Sequence, residues 1–296
     1  MSKDYYEQRA KEIVEAQKNA DAPKSDPPSP TVPSKSRALA KVIQLPIWPE
    51  PQRAAPNVVL RSSLFGVVQK GHRKDFKKEL LAAWPGTEIR FTGEQLDQFD
   101  ETVWLQTVHL AAMQAQHNGV ARFRLSGFVR ALGLSVSSPA LKRLDAAFTR
   151  MIACEVSIKG EGFQYRDNML GIHVDDETGV YTVRLNPALA KLFDDGLTRV
   201  EWQTRLELKS DLAKWMHSFV LTHKAAEAHP QRISLDKLKT LCGVSEVREL
   251  KFFRRDIKAA MAQLQEFGVV KSWRITDNDA LEFVRKRTKL LPESSS

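Results

Sequence analysis

Lys251, Arg254, Arg255 and Lys258 recur at i, i+3, i+4 and i+7, the spacing that gathers side chains onto one face of an α-helix. Four cations in one stripe suit capture of a polyanion and hydrogen bonding to base edges. Leu250, Phe253, Ile257, Met261 and Leu264 fall on a different face and would pack that helix inward. The stripe follows Gly243, a residue suited to the tight turn of a helix–turn–helix, whose second helix enters the DNA major groove. Lys271 and Arg274 lie at the start of a following hairpin, within reach of flanking phosphates. The alternative for the same residues is a solvated amphipathic helix laced with Glu249 and Asp256.

A weaker copy of this chemistry lies upstream. Lys142, Arg143 and Arg150 share a predicted helix with Asp145, and the hairpin after it adds Lys159 and Arg166. These residues fit either DNA contact or a domain used for dimer or interdomain packing. Arginine, which can bond a guanine edge with two donors, is the expected base reader in both copies.

Bond-making chemistry finds no constellation. There is no Gly-x-x-x-x-Gly-Lys-Ser/Thr stretch for a nucleotide phosphate. His173 stands alone in Gly-Ile-His-Val-Asp, away from the histidine pair that a tyrosine-dependent nicking enzyme needs for its metal. Asp175-Asp176-Glu177 precedes Thr178-Gly179 and reads as a hairpin turn, since a two-metal site draws carboxylates from separate elements. Cys154 and Cys242 cannot alone form a disulfide framework or a zinc site. The expectation is a non-enzyme without metal or cofactor.

The elements that must position these cations follow from pattern. A strand Glu88–Phe91 leads to Thr92-Gly-Glu-Gln95, a capping-box pattern opening a helix with Leu96, Phe99, Val103, Leu110 and Met113. A second helix runs from Ser126 to Leu132. Ser138 with Pro139 opens a third, to Cys154. Strands Glu155–Lys159, Phe163–Val174 and Val180–Leu185 come next. Leu212–Lys224, Leu235–Leu241 and Glu246–Phe267 (Ser245 as cap) repeat the three helices, and Val269–Thr276 with Ala280–Arg285 repeat a hairpin. Leu132-Gly-Leu-Ser135 and Cys242-Gly-Val-Ser245 superpose at an offset of 110 residues. The expected fold class is α+β: two tandem winged-helix domains, each a helix-turn-helix plus a β-hairpin wing, preceded by a disordered N-terminal segment.

Over 296 residues the formal charge is +9, and it is unevenly spread. Residues 1–44 hold 8 basic and 6 acidic groups, residues 45–204 hold 19 and 18, and residues 205–296 hold 18 and 12. A smaller basic run, Arg61, Lys70, Arg73, Lys74, Lys77 and Lys78, faces Asp75 alone. Five prolines between Asp21 and Ser36 mark a tether. No apolar run approaches a membrane span, and the N-terminus lacks the apolar core of a signal peptide, which points to a cytosolic chain. The expected layout is a disordered tether over 1–43, a linker over 44–56, domains over 57–204 and 205–287, and a disordered tail over 288–296.

Several stretches are recognisable in order. They are Pro56-Asn57, Arg61-Ser-Ser-Leu-Phe65, Ile89-Arg-Phe-Thr-Gly93, Asp100-Glu-Thr-Val-Trp-Leu-Gln106, Leu241-Cys-Gly243, Trp273 and Asp277-Asn-Asp279. Together, over roughly residues 40–285, the chain resembles the TrfA-type plasmid replication initiators. The resemblance implies a bacterial, plasmid-encoded, cytoplasmic protein that binds direct repeats (iterons) in duplex origin DNA as a monomer, with dimers as a self-limiting form. It implies origin opening, contact with single-stranded origin DNA, and partners among the host initiator, helicase and sliding clamp. Gln44, Leu45, Ile47 and Trp48 look like the short Gln-Leu-x-Leu-Phe peptide by which such initiators contact the clamp. A winged-helix transcriptional repressor is the alternative function, and a nicking Rep enzyme is a third.

Overall fold

The computed structural model describes residues 7–8, 10–13, 15, 49–69, 71–114, 119–186, 189–194, 196–244 and 247–286. Gln44, Leu45, Ile47, Trp48, Lys70, Ser245 and the tail over 288–296 lie outside them, as does most of the tether over 1–43. The described part of residues 7–15 is helical and packs Ala10 and Ile13 on the first core.

Strand β1 (Gln52–Pro56), helix α1 (Asn57–Leu60) and strand β2 (Phe65–Gly66) open the fold. Next come β3 (Asp75–Leu81), β4 (Glu88–Glu94), β5 (Leu96–Asp97) and α2 (Gln98–Met113). Strand β6 (Val120–Arg124) leads into α3 (Leu125–Ala131) and α4 (Ser138–Ala153). Two hairpins follow, β7 (Glu155–Gly160) with β8 (Phe163–Asp167), and β9 (Gly171–Asp175) with β10 (Val180–Arg184). Helix α5 (Ala190–Asp194), strand β11 (Leu197–Glu201) and helix α6 (Trp202–Glu207) complete this part. The rest is α7 (Asp211–Leu221), β12 (Gln231–Ser234), α8 (Leu235–Leu241), α9 (Leu250–Glu266), β13 (Val270–Ile275) and β14 (Ala280–Arg285).

Two apolar cores form. One draws on residues from Ala54 to Trp202, the other on residues from Leu208 to Phe283. Around each core the chain runs helix, strand, helix, glycine turn, helix and hairpin. The three-stranded sheets have the same order, β6-β10-β9 in one and β12-β14-β13 in the other. Gly133 and Gly243 make the equivalent turns with φ of 71° and 72°, a left-handed conformation that costs a residue with a side chain about 1–2 kcal/mol.

Several expectations are corrected. Helix α2 begins at Gln98, because Asp97, not Thr92, caps it: its carboxylate accepts from the Phe99 and Asp100 amides, and Asp100 accepts from the Asp97 amide. Thr92 and Gly93 instead extend β4. The predicted strand Phe163–Val174 is two strands, broken where Met169 and Leu170 turn into the core. The hairpin β7–β8 leaves the β9–β10 hairpin and joins β3 and β4 in a four-stranded sheet of order β3-β4-β7-β8. Residues 52–56, expected as linker, pair with β11 and bury Ala54 and Ala55. The expected boundary at 204/205 falls inside α6.

Candidate nucleic-acid interface

Helix α9 carries the strongest cationic face. Phe253, Ile257, Ala260, Met261 and Leu264 are buried, so the opposite side faces solvent. Lys251, Arg255 and Lys258 are exposed there, and Ala259 and Ala262 leave the same face low. Arg255 has its one ion pair among the described residues with the neighbouring Asp256, at 3.4 Å, and Lys251 pairs with Glu249 at 2.8 Å. Lys258 has no ion-pair partner among the described residues.

Arg254 behaves differently. Its guanidinium donates to Asp279 at 2.6 Å and to the Thr276 carbonyl at 3.4 Å, in the β13–β14 turn. It braces the hairpin against α9. On the hairpin, Arg274 pairs with Glu282 at 2.6 Å and Lys271 with Glu227. Both are exposed, so these cations are available in exchange for a surface ion pair of little worth.

The first unit departs further from expectation. Arg150 bonds the fully buried Asp100 through two nitrogens, at 2.7 and 3.1 Å, which ties α4 to α2. Burial raises the Asp100 carboxyl above the ordinary range while Arg150 opposes that shift. Arg143 lays its guanidinium 3.8 Å from the Phe99 ring centroid, across α2. Lys142 and Arg143 are both exposed on α4, and neither has an ion-pair partner among the described residues. Lys159 and Arg166 lie on the β7–β8 hairpin that follows α4, which is part of the four-stranded sheet; Arg166 pairs there with Glu155 at 3.0 Å. The β9–β10 turn is acidic, with Asp175 accepting from the Glu177 and Thr178 amides, so its tip repels phosphate.

Sequence reasoning missed a cationic face on the sheet β6-β10-β9. Arg122, Arg124 and Arg184 are exposed, and the register Arg122↔Thr182 and Val120↔Arg184 puts all three on one side. None has an ion-pair partner among the described residues. The signal was present as Arg-x-Arg alternation in a five-residue strand, but the short β6 was itself unrecognised.

Neither cysteine is poised to react: Cys154 and Cys242 are buried free thiols, with burial pushing them up to about 11 and about 12. No three His, Cys, Asp or Glu side chains gather as a metal site, and no helix is long and apolar enough to cross a membrane, among the described residues.

These features define a mixed α/β protein with two apolar cores, cationic outer surfaces and no metal cluster among the described residues. The fold is similar to that in the crystal structure of selenomethionine derivatives of domains 2 and 3 of RctB, with a TM-score of 0.51 and 11% identity. That match covers 75% of this chain and 95% of the other. The chain belongs to the TrfA protein family, whose model matches residues 34–285. It is 23% identical over 241 residues to the plasmid replication initiator protein TrfA of Escherichia coli, covering 78% of this chain. The match spans 61% of that relative's length.

Proposed function

We propose that this protein initiates plasmid replication by binding directly repeated duplex sequences in an origin, without enzymatic activity of its own. In this reading each unit is a winged-helix domain: α4 and α9 are recognition helices and the β9–β10 and β13–β14 hairpins are wings. The observation that carries it is the solvent face of α9, where Lys251, Arg255 and Lys258 stand over two alanines, on a helix held by a buried apolar stripe. Family membership supports the plasmid origin as the target.

The second unit supplies most of the grip and reads bases through Arg255. The first contributes phosphate contacts through Lys142 and the arginine face of its sheet. Binding would then promote origin opening, and Gln44, Leu45, Ile47 and Trp48 would recruit the host sliding clamp. Just after that peptide, Glu50 bonds His109 at 2.8 Å.

Gel-shift titration against direct repeats from beside the gene tests the reading. Specific binding should weaken steeply with salt, with a slope of about −0.9 per phosphate neutralised. Specific binding to a single inverted repeat, with none to direct repeats, would make the protein a repressor. A nicked product from supercoiled origin DNA and Mg²⁺ would overturn the non-enzyme assignment. For the clamp peptide, replacing Leu45 and Trp48 by Ala should abolish clamp pull-down while duplex affinity holds; unchanged pull-down refutes it.

A further inference from the structure

Phe252 occupies the first turn of α9 with 40% of its surface exposed, although Phe253 beside it is fully buried. Its ring lies 4.9 Å from the Lys251 ammonium and 5.7 Å from the Arg255 guanidinium carbon, so cations of the DNA-facing stripe flank it. Val247, just before the helix, is 91% exposed and leaves this end of the surface apolar as well. A phenylalanine among cations is ill suited to holding phosphate. An exposed apolar ring at the leading end of a recognition helix suits the one large apolar group on the major-groove floor, the C5 methyl of thymine. The low surface made by Ala259 and Ala262 lets the helix approach closely enough for that contact.

We infer that Phe252 is a specificity-determining residue that selects thymine in the major groove by covering its methyl group, while Arg255 beside it bonds an adjacent base edge. This rests on the duplex-binding reading above and adds the base that the second unit prefers.

The full-length protein would first be used to select a high-affinity duplex from a random library. The selected sequence would then be prepared in two forms, with thymidine and with 2′-deoxyuridine, which differ by the methyl groups alone. The wild type should bind the uracil form at least about fourfold more weakly, the factor given by burying one methyl. Phe252→Ala should bind both forms equally, close to the wild type's affinity for the uracil form. Equal wild-type affinity for the two forms, or a preference retained in Phe252→Ala, would overturn the inference. So would loss of self-association in Phe252→Ala with methyl discrimination intact, which would assign the ring to a protein interface. Recovery of no specific duplex at all would instead remove the DNA-binding reading itself. Circular dichroism of Phe252→Ala and of Phe252→Leu, which keeps apolar bulk, separates a lost contact from a lost fold.

Discussion

Arg254 and Arg255 are neighbours of the same type, yet one is tied to the hairpin turn and the other is free to meet a ligand. Helical periodicity put both on the cationic stripe, and that stripe was legible. The partner of Arg254 was not, because Asp279 lies 25 residues away and is brought back by the hairpin. The partner of Arg150 was hidden for the same reason, since Asp100 is 50 residues distant. Buried histidines give the residue scale its test. Neither ring nitrogen of His217 has a hydrogen-bond partner among the described residues, and burial depresses its pKa to about 3; that of His223 falls to about 4. Both stay neutral in the fold, while the unfolded chain takes up protons near pH ~6.5. Each histidine's contribution is therefore intact above that pH and is lost as pH falls toward its folded value. The loss is at most about 1.4 kcal/mol per pH unit for each histidine. Urea unfolding at pH 7 and pH 5 should show this decline, reduced in His217→Phe. An identical decline in that variant would show that His217 does not titrate as stated.

Among the elements, the two glycine turns look interchangeable in sequence and differ in their surroundings. A Cβ on Gly133 would rest 3.4 Å from the flexible end of Leu206, an ordinary contact. One on Gly243 would meet Ser63 Cβ at 3.2 Å and Gly66 Cα at 3.4 Å. Gly133→Ala should cost the conformational penalty of about 1–2 kcal/mol. Gly243→Ala should cost more, and its melting temperature should be the lower of the two. The reverse order would mean that the contact with residues 63–66 is soft. The paired turns were recognisable because local φ preference marks a glycine. The sheet β3-β4-β7-β8 was not, since no local pattern says that a hairpin after α4 will pair with a strand 63 to 71 residues earlier. The short strands β6 and β12, four or five residues each, escaped notice beside the longer helices.

Across the whole molecule, Arg205 joins the two cores. It is 0% exposed and contacts Gln98, Glu101 and Thr102 of α2 together with Lys214 and Ser218 of α7. Glu101 is in turn held by Gln98 at 2.6 Å and Ser218 at 3.1 Å. Removing one partner of such a pair strands a buried charge, so Arg205→Met should lose about 3–5 kcal/mol in chemical denaturation. Adding Glu101→Gln should recover part of it. A single variant as stable as the wild type would show that the pair does not hold the units together.

The segment after α1 has a consequence for dissecting the gene. Arg61 bonds the Thr222 carbonyl, Trp215 donates to the Ser62 carbonyl at 3.1 Å, and the Val67 amide donates to the Cys242 carbonyl at 2.7 Å. Trp84 adds its ring to Phe219 and His223. The second unit, which carries the cationic helix α9, thus borrows part of its wall from residues encoded far upstream. A truncation starting near codon 205 would delete that wall and leave Trp215 and Phe219 bare, so a soluble fragment carrying the second unit has to begin before codon 61.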